Sequence, residues 1–210
     1  MKRLIFILFL AVESLAATYY VDATGGADGN AGTSTGTAWQ TIAKVNSVSF
    51  VAGDSILFKR GETWAEKLIP PTSGNSGSFI TYAAYGSGAI PIIQAAATGR
   101  PEAVSLGSGK TYNKISYLHC KGGDTGSASA LIESDSITNV IENCTVDGLG
   151  LSDSCISGSS TVRYCLIQNA RDDGYTLHTT DSGLVENCTF YGNRDAINNS
   201  GTDMTLTVND

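Results

Sequence analysis

Apolar and polar positions recur in short phrases along the second half of the chain. These are Tyr117-Leu118-His119-Cys120, Val140-Ile141-Glu142-Asn143-Cys144-Thr145-Val146, Val162-Arg163-Tyr164-Cys165-Leu166-Ile167 and Val185-Glu186-Asn187-Cys188-Thr189-Phe190. Their cysteines are 24, 21 and 23 residues apart. In three of the four, apolar residues stand three before the cysteine, at it and two after it; Gly122 interrupts the first. Two residues separate the first pair of apolar positions, so alternation fails and the chain must bend. Asn143 and Asn187 stand at that bend, and asparagine tolerates the left-handed conformation. His119 takes the same place in the first phrase.

A second phrase runs in step: Asp153-Ser154-Cys155-Ile156, Asp173-Gly174-Tyr175-Thr176 and Asp195-Ala196-Ile197-Asn198, at separations of 20 and 22. Ala130-Leu131-Ile132 reads as the same strand one coil earlier. A period of this size marks a solenoid. The pattern predicts an all-β fold, a right-handed parallel β-helix. Each coil of about 22 residues holds three short strands, stacked about 4.8 Å apart. The four cysteines should stack inward as free thiols, because cysteines at that stacking distance with parallel side chains suit a disulfide poorly. The two Asn-Cys-Thr sequons are explained by the coil period.

Three segments follow. Residues 1–17 read as a signal peptide: Lys2 and Arg3 precede an apolar core too short to span a bilayer, with cleavage after Ala16 or Ala17. Residues 18–93 form an N-terminal cap and the first coils. They hold strands around Tyr19–Asp22, Ser55–Lys59, Phe79–Tyr82 and Ile90–Ile93. A short helix opens on a capping box, Thr37 to Gln40, and buries Trp39, Ile42, Ala43 and Val45. Residues 94–210 carry the repeats, which stop midway through a coil, as in the N-terminal portion of a longer protein.

The stretch Tyr19-Tyr20-Val21-Asp22, Asp28-Gly29-Asn30, Trp39-Gln40-Thr41-Ile42, Gly53-Asp54-Ser55-Ile56-Leu57-Phe58 and Gly61-Glu62-Thr63-Trp64 resembles the N-terminus of bacterial right-handed β-helix proteins of the pectate-lyase-like superfamily. With the coils, the resemblance covers nearly all of the chain after the signal. It implies export to the medium, periplasm or cell surface, and a polysaccharide as partner. It does not fix the reaction, since that superfamily spans lyases, hydrolases, epimerases, esterases, tailspikes and adhesins.

Composition narrows the partners. With 20 acidic and 13 basic residues and a net charge of −7, the chain is a poor candidate for nucleic acid, which is held by Lys and Arg. No second apolar stretch follows the signal, so no membrane span is expected in the mature chain. Oligomeric state is not legible.

The candidate chemistry lies in the Asp phrases. Arg171, Asp172, Asp173, Asp195 and His178 gather at one strand edge and are the candidate catalytic set. Two chemistries suit them. In a lyase, Asp172, Asp173 and Asp195 hold Ca²⁺ against a uronate while Arg removes a proton. In a glycoside hydrolase, one carboxylic acid protonates the leaving oxygen and a carboxylate serves as base or nucleophile. Asp at a turn also caps the next strand, a structural role that the coil repeat would itself reproduce. Asp22, Asp28 and Asn30 offer either a small Ca²⁺ loop or a turn. The leading expectation is an exported polysaccharide lyase-like enzyme. A noncatalytic adhesin or glycan-binding β-helix and a glycoside hydrolase with paired Asp are the alternatives.

Overall fold

The computed structural model describes residues 15–96, 102–107, 109–123, 129–178, 181–199 and 205–209. Most of the expected signal peptide, residues 1–14, lies outside these. The described chain is mostly β, and its named strands all pair in parallel. Strands neighbouring in a sheet come from successive passes of the chain, which winds up three stacked faces.

The first face stacks Val104–Leu106, the opening of Ala130–Glu142, the opening of Ser154–Arg163, Asp173–Leu177 and Asp195–Asn199. The second begins with Thr18–Val21, Ser55–Lys59, Ile80–Tyr85 and Asn113–Ser116. It continues through the ends of Ala130–Glu142 and Ser154–Arg163 to Ser182–Glu186 and Thr205–Asn209. The third stacks Thr63–Trp64, Ile92–Gln94, His119–Lys121, Thr145–Asp147, Leu166–Gln168 and Thr189–Tyr191.

Inward side chains form unbroken columns. On the second face Ile56, Tyr82, Ile115, Ile141, Val162 and Val185 are in register and buried. On the third face the column is Trp64, Ile93, Cys120, Val146, Ile167 and Phe190. Burying a residue of this size contributes about 1.5–3 kcal/mol. A single inward column is thus a large favourable contribution, set against the entropy of ordering the coils.

The bend between second and third faces is left-handed, as expected: φ is 53° at Asn143 and 49° at Asn187. Tyrosine takes the same place in the other two coils, with φ 54° at Tyr117 and at Tyr164. The corner in the first phrase is therefore Tyr117, not His119, and the register moves accordingly. Thr145 N donates to Leu118 O, so Leu118 stacks on Cys144 while Cys120 pairs with Val146. Both inward positions after the corner accept a small or branched apolar residue, so the cysteine in the first coil marks the second position rather than the first. Cys144, Cys165 and Cys188 do share one column. All five cysteines are unbridged.

The N-terminal segment contains the expected helix in shortened form, Ile42–Asn46, behind a 3₁₀ turn at Thr35–Thr37. Its N-cap is Thr41, whose hydroxyl accepts from Lys44 N, rather than Thr37. Asp28 decides this by accepting from Gln40 N, Thr41 N and the Thr41 hydroxyl. Ile42 and Val45 are buried, but Ala43 faces solvent. Trp39 lies before the helix and stacks on Tyr19 with ring centroids 4.9 Å apart. Gly32, at φ 76°, lies so close to the Trp39 ring that no side chain would fit there. Asp22 is occupied by Lys59 at 2.8 Å and by Gly25 N, and Asn30 Nδ2 donates to Ala38 O. These three polar residues fasten the loop, so it does not present a calcium cage.

Candidate functional site

The outer surface of the first face gathers two polar groups, one at its edge and one near its middle. At the edge, where Asp173–Leu177 and Asp195–Asn199 begin, Asp195 pairs with Asp173. The residue below Asp173 is Ser154, not Asp153. The Asp phrases therefore do not make one column; the coil from Ser154 to Asp173 is one residue shorter than the phrase repeat implies. Asp153 instead sits below Asp172, whose N–H it receives.

The guanidiniums reach back one coil. Arg171 pairs with Asp153. Arg194 Nη1 lies 2.8 Å from Asp172 Oδ1, and its Nε lies 3.5 Å from Asp195 Oδ2. Asp173 touches neither arginine. It is 6% exposed, and its Oδ2 accepts from the Thr176 hydroxyl and from Asn198 Nδ2, both at 3.0 Å. Its Oδ1 is buried with no hydrogen-bond partner. Asp172 and Asp195 are thus held by arginine, and Asp173 is sealed from solvent. Calcium takes six to eight oxygen ligands, and no group of three or more metal-binding side chains converges among the described residues. A calcium cage of Asp172, Asp173 and Asp195 does not fit this arrangement.

His178 follows the far end of the same strand, about 16 Å along the chain from Asp173 at the usual strand rise. It is exposed, its Nε2 is 2.9 Å from Ser157 Oγ, and its N–H donates to Asp181 Oδ2 at 2.7 Å. Ser157 is in turn the register partner of Glu133. The structure therefore separates His178 from the four other expected residues and joins it to carboxylates that the sequence reading passed over.

Glu133 and Asp135 stand two residues apart on one strand, so both project from the outer side of the sheet. Both are exposed. Partial burial, then repulsion from Glu102 and Asp135, raises the Glu133 carboxyl above the ordinary carboxylate range, with Lys67 and His178 opposing. Lys67 is itself paired with Glu102. The signal for Glu133 was available: aligning Ala130-Leu131-Ile132 with the later phrases puts an acid where Ser157 and Thr176 stand.

Tyr175, inside the second Asp phrase, points inward. It is fully buried and donates to Gly158 O at 2.8 Å, and burial pushes its phenol up to about 12. On the third face, burial works to raise Asp147. The Leu149 N–H and the Asn169 and Gln168 amides outweigh that and hold it low. His119, beside it and facing outward, has a buried Nε2 without a partner, and burial lowers its basicity.

No known protein-family profile matches the chain. Over 77 residues it is 39% identical to a lacto-N-biosidase of Bifidobacterium longum subsp. longum, an alignment covering 35% of this chain and 5% of that protein. Its fold is similar to the GH136 lacto-N-biosidase of Eubacterium ramulus, with TM-score 0.59 and 16% identity over 82% of this chain and 45% of that one. It is also similar to a pectate lyase, with TM-score 0.53 and 16% identity over 83% of this chain and 54% of that one. The fold is that of the β-helix proteins. The chain spans a small fraction of the sequence relative and about half of each structural relative.

Proposed function

We propose that the chain belongs to an exported, right-handed β-helix protein that binds a glycan along the outer surface of its first face and hydrolyses a glycosidic bond there. The right hand is the one parallel β crossovers take. The observation that carries the reaction is the pair Glu133 and Asp135. Two carboxyls on one open surface, with one raised by partial burial and then by the charges of Glu102 and Asp135, suit acid–base cleavage. Glu133, holding its proton to higher pH, protonates the leaving oxygen; Asp135, two residues along the same strand, activates water or attacks. His178 sits beside the pair through Ser157.

The lyase reading, favoured by sequence, finds less support. It needs a free arginine as base, and both Arg171 and the neighbouring Arg194 are paired with aspartates. The sequence similarity to a lacto-N-biosidase supports a glycan substrate, though over a short stretch.

The test is to incubate the protein with lacto-N-tetraose, xylan, alginate and pectate, and to measure reducing ends and the ultraviolet absorbance of unsaturated uronate ends. Reducing ends without unsaturation are expected on at least one glycan. Glu133→Gln should lower the rate by about 10²–10⁴-fold. Unsaturated products would establish the lyase, and an unimpaired Glu133→Gln would remove this residue from the mechanism.

A noncatalytic glycan-binding role is favoured by one further observation. Tyr117 and Tyr164 are 48% and 56% exposed at equivalent corners, with Asn143 on the coil between them. Exposed rings in line along the axis are a surface on which sugars stack. Retarded migration in glycan-containing native gels, lost in Tyr164→Ala and unaccompanied by cleavage, would identify that role.

A further inference from the structure

Asp54 closes the turn before the second strand of the second face. It is 1% exposed. Its Oδ2 accepts from Val51 N at 2.9 Å and its Oδ1 from Ala17 N at 2.7 Å. Among the described residues no basic side chain pairs with it. The groups that feel its charge are the phenols of Tyr19 and Tyr82, both shifted upward by burial first and by Asp54 second. A buried carboxylate is ordinarily matched by a cation, because two amide donors offset only part of its lost hydration. This one has a chain amide where the cation would be.

We infer that the peptide bond between Ala16 and Ala17 is the processing site, and that the new α-ammonium of Ala17 is the counter-ion of Asp54. Hydrolysis there consumes one water, leaves a carboxylate on Ala16 and frees an amine on Ala17, which takes up a proton. The donor at 2.7 Å then changes from a neutral amide to an ammonium, and charge-assisted hydrogen bonds are about twice as strong as neutral ones.

The neighbouring bond is a poorer choice. Ala17 O accepts from Ser55 N at 2.9 Å, so Ala17 is fastened at both its N–H and its carbonyl. Cutting after Ala17 would remove both bonds and leave Asp54 Oδ1 buried without a donor. Cutting after Ala16 removes neither. Leu15 and Ala16 are exposed, and Leu15 is 90% so. The inference is independent of any glycan chemistry, since Asp54 lies at the start of the second face and Glu133 on the first.

Two measurements test it. The full precursor is expressed with its own leader in a bacterial host, and the exported protein is weighed intact. A mass beginning at Ala17 is expected; one beginning at Thr18, or retaining Ala16, overturns the inference. Secondly, the chain beginning at Ala17 is compared with the same chain Nα-acetylated. Acetylation should lower the melting temperature by about 2–4 °C or more at pH 7. The sign follows from the ammonium, whose folded pKa is raised by Asp54 above the unfolded value of about 8. Its stabilisation is complete below that value and lost as pH rises through the folded pKa, so the difference should vanish in strong alkali. It should also vanish in Asp54→Asn. Equal melting of the free and acetylated chains at pH 7 overturns the ion pair even if Asp54→Asn fails to fold.

Discussion

Asp195 lies directly over Asp173 in parallel register, yet Asp173 is 6% exposed and the Asp195 side chain 56%. One carboxylate is a buried acceptor for a hydroxyl and an amide, and the other is held at the surface by Arg194. Asp173→Ala removes the acceptor of the Asn198 amide and leaves the Thr176 hydroxyl only Ser154 Oγ as partner. It should cost about 1–3 kcal/mol. Asp195→Ala should change stability by about 0.5 kcal/mol or less. Urea unfolding of the two variants checks the difference, and equal losses would show that the coil above does not seal Asp173.

The corner tyrosines predict a gain. A non-glycine residue in the left-handed region costs about 1–2 kcal/mol, and asparagine bears it best. Tyr164→Asn should therefore stabilise by a few tenths to about 1 kcal/mol, and Asn143→Val should destabilise by about 1–2 kcal/mol. Thermal melts of the two variants should move in opposite directions.

The raised Glu133 carboxyl predicts a pH profile. Activity that needs protonated Glu133 falls as pH rises through its pKa, which lies above the ordinary glutamate value. Asp135→Asn removes one source of the rise, so in the activity it leaves, the alkaline limb should move to lower pH. A limb that stays in place would show that Asp135 does not act on Glu133.

Acid stability should follow Asp22 and Glu142. Burial works to raise Asp22, but hydrogen bonds from Lys59 and Gly25 N bring it down to about 2. Burial likewise opposes Arg163 and Lys114, which hold Glu142 below its usual range. A depressed folded pKa gives stability that is present above the unfolded value and lost as pH falls through the folded one. For Asp22 that window runs from 3.8 to about 2. Urea midpoints should drop across it, and Lys59→Met should flatten the drop.

The four buried thiols should be inert in the native protein. Burial pushes Cys155 up to about 12 and raises Cys120 further still. Native alkylation should reach Cys188 first, since it alone is only half-buried, and the other four should react after unfolding. Reducing agent should leave the melting temperature unchanged.

Much of the architecture was legible because strand stacking repeats one packing problem. The Val, Asn and Cys phrases named the inward column through Ile141, Val162 and Val185 and the corner at Asn143 and Asn187. The glutamate of the candidate site was not. Glu133 follows a strand phrase that was recognised, but its significance depends on Asp135, Glu102 and His178, which come from different coils or positions that no phrase repeats.

The sequence by itself determined the parallel stack, its three strands per turn and its bend, because each is a local choice that alternation and backbone sterics enforce. The tertiary structure decided register: Leu118 rather than Cys120 lies under Cys144, and Ser154 rather than Asp153 lies under Asp173. Coil lengths vary, and the backbone ladder, not the spacing of similar letters, sets which residues meet. A one-residue slip moves a side chain to the other side of a sheet, so the spacing of the Asp phrases does not fix which carboxylates stack.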